Sequence, residues 1–301
     1  MVAVIFFILL LLPTNALGAD IVVGLQPGPS SGGKTYSCDL LIIGEIAPGD
    51  GEVFRERILK AFGAGCTPHA LRLFSPGGDL KAAIDIGRQV NTLALYTMAP
   101  DAGPRGPERS SWACSLKGGI VGPFDKVTGR GDRNCICASA CFFIWAGGVK
   151  RLGNVVAIHR PHFEATSFSG LALSEARQRY QGLTRAAQEY LSSLEIPDRL
   201  VGRMLSINSR EGQFLKEDEV SEIRTRRYYE ELLIARCGVS EAEEQKAADA
   251  ALKGFKGQRT MDHIARRMEV SKVYIECYSG ARRSILLQAK DDYLQKFGVM
   301  P

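Results

Sequence analysis

Short, unbroken apolar runs of strand length alternate along this chain with segments of helical period, and that alternation constrains the fold more than any other feature. CDLLIIGEI, opening at Cys38, carries a run of consecutive apolar residues, and ALRLF, opening at Ala70, reads as another strand of the buried type. Residues 52–62, between them, carry a helical period. After the SPGGD turn at Ser75 a helix is expected over residues 80–95, where Ala83, Ile84, Gly87, Val90 and Leu95 recur at helical spacing. The order implies an α/β fold. With 301 residues the chain can bury a core without help from a metal.

A short strand from Cys135 turns at Ala138-Ser139 into an apolar helix that ends before Gly147-Gly148, and residues 154–158 form another buried strand with His159 at its end. Ala176, Tyr180, Leu183, Ala187, Leu191 and Leu194 mark an amphipathic helix over residues 174–194, closed by Pro197. Residues 97–133 are heavy in Gly, Pro and Arg and read as an insertion; residues 20–37, rich in Gly, Pro and Ser, read as a flexible leader. Beyond residue 224 the chain is mostly charged helix, with VYIECY from Val273 as a strand-like run. The expected organisation is therefore a signal segment over 1–19, the leader over 20–37, an α/β domain over 38–223 and a mostly helical extension over 224–301.

The first twelve residues are apolar, Pro13 breaks any helix, and Ala16-Leu17-Gly18 places small residues ahead of a cleavage point near Ala19. That pattern predicts export, to the periplasm of a bacterium, with membrane attachment only if the segment stays uncleaved. In an exported chain most of the eight cysteines should pair. The expected pairs are Cys38 with Cys66, Cys114 with Cys135, Cys237 with Cys277, and Cys137 with Cys141 around Ser139. Cys135, Cys137 and Cys141 lack a second ligand cluster and the four His include no HExxH, so no metal site is expected. The net charge of +5 is spread along the chain and its basic runs lack interleaved aromatics, which argues against a nucleic-acid partner.

Ser139, where a strand gives way to a helix, would have its hydroxyl exposed near the backbone N–H groups of a helix N-terminus. His159, at the end of the next strand, is the candidate base. Gly77-Gly78 permits close backbone approach and can aim an N–H at a substrate carbonyl.

LRLFSPGGDLKAAIDIGRQV, CASACFFIWAGG and VVAIHRPHF together resemble the proteolytic subunit of the Clp protease, over roughly residues 38–224, and most of all the exported, Cys-rich members of its superfamily with a CxSAC motif. The resemblance implies a Clp-protease/crotonase-like spiral of β-β-α units with a helical C-terminal extension. It also implies Ser139 as nucleophile, His159 as general base, the N–H groups of Gly78 and Ala140 as oxyanion hole, a peptide or protein substrate, no cofactor, and assembly into a homo-oligomer. One position departs from the family: Gly212 stands where the protease has its third, acidic member. Glu211 or Asn208 is then a candidate orienter, and a Ser/His dyad oriented by a carbonyl is also workable chemistry. Two readings follow, an exported serine peptidase or a catalytically silent binding or scaffold protein on the same fold. Acyl-CoA chemistry on the crotonase architecture is a third, disfavoured by export.

Overall fold

The structure is a computed structural model that describes residues 18–27, 36–101, 135–161, 168–208, 211–253 and 260–298. The strands are β1 (Asp20–Pro27), β2 (Tyr36–Ile43), β3 (Pro68–Phe74), β4 (Tyr96–Met98), β5 (Cys137–Ala138), β6 (Lys150–Leu152), β7 (Val156–Ile158) and β8 (Gln213–Phe214). In the α/β part the helices are α1 (Asp50–Gly63), α2 (Leu80–Thr92), α3 (Ala140–Ala146), α4 (Leu173–Ser193), α5 (Asp198–Ser206) and α6 (Glu217–Glu222). The C-terminal helices are α7 (Arg227–Cys237), α8 (Glu241–Leu252), α9 (Thr260–Val270) and α10 (Lys272–Phe297).

The main sheet runs β1-β2-β3-β4-β6, with β2, β3, β4 and β6 parallel, and a smaller sheet runs β5-β7-β8. Between a main-sheet strand and its helix the chain pairs a second time. Ile46 bridges Gly78, Ser75 bridges Cys137, and β5 and β7 pair in parallel, so β2, β3, β4 and β6 each lead through a second short pairing into α1, α2, α3 and α4. This is the expected succession of β-β-α units. The apolar runs are buried because helices cover them: Leu40, Ile42, Leu71 and Leu73 share one core with Ile58 of α1, Ile86 of α2 and Trp145 of α3.

The structure corrects the sequence reading in several places. Residues 20–27 are not a loose leader but the edge strand β1, paired antiparallel with β2 from Asp20↔Ile43 onward. Ile21 is buried and Val22 exposed, the alternation of a half-covered strand, which the Pro/Gly/Ser-rich stretch that follows had obscured. Tyr96–Met98, whose last two residues had been given to the insertion, is the strand β4 inside the main sheet, held between β3 and β6. VYIECY is not a strand: it lies in α10, where helical spacing brings the Tyr274 and Tyr278 rings to 5.5 Å and Cys277 faces Cys237 of α7. Residues 1–17, Cys114 and residues 102–134 of the insertion lie outside the described residues.

Three expected disulfides are present, Cys38–Cys66, Cys137–Cys141 and Cys237–Cys277, with Cα separations of 5.9, 5.2 and 5.8 Å. Cys135 is also disulfide-bonded, and its expected pairing with Cys114 falls outside the described residues.

Buried Arg151 gathers three helix ends. Its guanidinium donates to the carbonyls of Ala146, Leu194 and Ile223, at the C-termini of α3, α4 and α6, at 2.9, 2.8 and 2.6 Å. Burial pulls its pKa down, while three partly negative helix ends stabilise the cation.

The C-terminal helices dock through a phenol cluster. Tyr96 Oη lies 3.0 Å from Tyr229 Oη and 2.6 Å from Tyr278 Oη, and Arg282 stacks 3.7 Å above the Tyr96 ring while donating to the Ala94 and His69 carbonyls. Among the described residues no helix is long and apolar enough to cross a membrane.

Candidate active site

Ser139 joins the end of β5 to the start of α3 with φ 57° and ψ −121°, a left-handed conformation that costs a non-glycine residue about 1–3 kcal/mol. Neighbouring strands impose it. The Ala138 N–H donates to the Ser75 carbonyl at 3.0 Å on one side, and the Ser139 N–H donates to the Ala157 carbonyl at 3.1 Å on the other. The Cys137–Cys141 disulfide ties the last turn of strand to the first turn of helix across the serine. Ser139 as a residue is half-buried.

On one flank lies the Ser75–Asp79 turn. Gly77 and Gly78 have φ of +117° and +130°, which only glycine adopts without strain. Ser75 Oγ, fully buried, accepts the Gly77 N–H at 3.2 Å and fixes the turn, and Asp79 caps α2 by accepting the Ala82 N–H at 2.7 Å. Neither the Gly78 N–H nor the Ala140 N–H takes an acceptor among the described residues. The role of Ser75 had no separate signal in the sequence beyond its place at the head of SPGGD.

On the other flank is β7, parallel to β5 in the register Cys137↔Val156 and Ala138↔Ala157. Ser139 and His159 therefore follow the carboxyl ends of adjacent parallel strands, as expected. No hydrogen bond joins Ser139 Oγ to the His159 ring in this structure. Among the described residues the ring is bonded through Nδ1 to the Arg160 carbonyl, at 2.8 Å. A carbonyl only accepts, so Nδ1 carries a proton; in the neutral ring this is the tautomer with its lone pair on Nε2, the one a general base needs.

Glu211 and Asn208, the candidate orienters, lie in the turn that precedes β8. Both are exposed, and the Glu211 N–H donates to the Asn208 carbonyl at 2.9 Å in a turn of their own. Among the described residues the acceptor found at the ring is the Arg160 main-chain carbonyl. No side-chain letter announces a main-chain acceptor; the single hint is Pro161, which biases Arg160 toward extended backbone. Beyond the turn, β8 pairs antiparallel with β7 through Ile158↔Gln213, so one further step sets Gly212 opposite His159.

Among the described residues no group of three His, Cys, Asp or Glu side chains could hold a metal ion. A cavity of about 400 Å³, lined in part by Arg88, Glu189, Tyr190 and Lys296, contains none of these site residues.

No protein-family model and no curated protein matches the chain. Solved structures similar to it include ClpP1 from Listeria monocytogenes, at 14% identity and TM-score 0.36, covering 62% of this chain and 86% of that one. A variant of the 1510-N membrane-bound stomatin-specific protease is similar at 16% identity and the same TM-score of 0.36, covering 66% and 83%. At such TM-scores the architecture rests on the strand order and register of this chain itself.

Proposed function

We propose that this chain is an exported serine hydrolase that cleaves peptide bonds with a Ser139/His159 dyad. The observation that carries this reading is the left-handed junction at Ser139, beside the strand that ends in a histidine whose Nδ1–H is already engaged. His159 Nε2 takes the Ser139 proton as Oγ attacks the scissile carbonyl, and the Gly78 and Ala140 N–H groups receive the oxyanion. The imidazolium returns the proton to the leaving amine, and water then hydrolyses the acyl-serine by the same route. A main-chain carbonyl in place of a carboxylate gives the imidazolium weaker support, so turnover is expected to be slow.

Three disulfides among the described residues support an oxidising compartment. The exposed early turns of α4, with Leu173 and Tyr180 at the surface, are where the proposed homo-oligomer would make contact; light scattering on the exported protein tests it. The second reading, a silent binding or scaffold protein, is favoured by Gly212 standing at the position where the resembled family has its acid. Hydrolysis of an unfolded protein substrate by the oxidised wild type, lost in Ser139→Ala and His159→Ala, supports the peptidase. Equal background in all three forms leaves the scaffold.

A further inference from the structure

Asp50 is a buried carboxylate at the first position of α1, 5% exposed, and among the described residues it forms no ion pair with a cationic side chain. Its Oδ2 accepts two main-chain N–H groups. One, from Ala47 at 2.8 Å, belongs to the turn that opens the helix. The other, from Ala19 at 3.1 Å, comes from 31 residues earlier in the chain and has no role in forming that helix. A buried carboxylate is costly without a full counter-charge, and a helix N-terminus supplies only part of one.

Ala19 is the residue at which the small-residue pattern Ala16-Leu17-Gly18 places a new amino terminus. Gly18 serves two demands. An export peptidase reads a small residue before the bond it cuts, and here a β-carbon at residue 18 would collide with Asp50 Oδ1.

We infer that the Gly18–Ala19 peptide bond is a processing site, and that the ammonium group released at Ala19 is the buried counter-ion of Asp50. An endopeptidase specific for small residues at the first and third positions before the bond adds water across it. The C–N bond breaks, hydroxide goes to the Gly18 carbonyl carbon to give a carboxylate, and the Ala19 nitrogen leaves as an amine that is protonated at neutral pH. One amide donor thus becomes a cation with three donors at the same place, and Asp50 gains a full counter-charge. The freed terminus closes the end of β1 onto α1, so processing and the final stability of the edge strand are coupled.

The full chain, exported from a bacterial host and purified from the oxidising compartment, tests this by amino-terminal sequencing and by acetylation of the folded protein with an N-hydroxysuccinimide ester. The expected start is Ala19. Its α-amine should react at least about tenfold more slowly in the folded than in the denatured protein, as a buried, ion-paired group does. Asp50→Asn should be cut at the same bond and lose that protection. If Asp50→Asn does not fold, a wild-type chain retaining Gly18 should melt several degrees below the form starting at Ala19. A start elsewhere, retention of the apolar segment, an amine as reactive folded as denatured, or equal melting of the two forms each overturns the inference. None of these readouts depends on peptidase activity.

Discussion

Gly77 packs on Ser139 so closely that a β-carbon on the glycine would lie 2.5 Å from Cβ of the serine and 3.0 Å from its Oγ. Gly77→Ala should therefore strike the proposed nucleophile directly. It adds a collision to a backbone at φ +117°, with an expected stability loss of about 1–3 kcal/mol. Reactivity of Ser139 toward a fluorophosphonate should vanish even under conditions where circular dichroism shows the variant folded.

Gly212 is exposed, opposite His159 by the extended register, and a β-carbon there would meet nothing nearer than Ala157 Cβ at 3.9 Å. The position accepts a side chain without repacking. Gly212→Asp should place a carboxylate beside the imidazole, compete with the Arg160 carbonyl for Nδ1–H and raise kcat/KM for peptide hydrolysis by about tenfold or more. An unchanged rate would mean that the ring is not limiting.

Cys137 and Cys141 are fully buried and hold the serine junction between them. Replacing both by Ala should cost roughly 2 kcal/mol from loop closure. Fluorophosphonate labelling of Ser139 should fall by more than that loss of folded population explains, because the left-handed junction is then free to relax. Kinetic labelling below the melting temperature separates the two effects.

Arg151→Leu removes the donor shared by three helix ends and leaves the Ala146, Leu194 and Ile223 carbonyls without it. Each buried acceptor left unpaired costs about 1–3 kcal/mol, so denaturant unfolding should show a loss of several kcal/mol. Lysine, with one compact ammonium, should restore only part of it.

The phenol cluster sets an alkaline limit. Burial raises the pKa of Tyr96, against the opposing charge of Arg282, and burial also raises that of Tyr278, whereas the unfolded phenols titrate near about 10. Folding thus favours the neutral form. The contribution is complete below about pH 10 and is lost as pH rises above it, because the unfolded chain ionises first. Thermal melts from about pH 8 to about pH 11 should fall more steeply for the wild type than for Tyr278→Phe.

How far the sequence spoke for itself can be read from particular residues. The runs at Cys38 and Ala70 announced β2 and β3 because strands covered on both faces are mostly apolar, and the charged Asp39 and Arg72 within them are buried as a pair. Three-residue strands such as β4 and β6 are too short for any period, and their pairing depends on neighbours distant in sequence. VYIECY misled because β-branched and aromatic residues favour strands locally, whereas packing on α7 and the Cys237–Cys277 bond hold it helical. At the candidate site, the strand-to-helix place of Ser139, the strand-end place of His159 and the glycine turn were legible as letters. The acceptor on Nδ1 was not, since it is main chain, and neither was the contact of Ala19 with Asp50, which needs β1 folded first.

The most direct measurement is the intact mass of the oxidised protein after incubation with a fluorophosphonate, with the modified peptide then mapped. One adduct on the peptide containing Ser139, slowed at least about a hundredfold in His159→Ala, is expected of a serine activated by that imidazole. No adduct on folded, disulfide-intact protein, or an adduct that forms equally fast without the histidine, would contradict it.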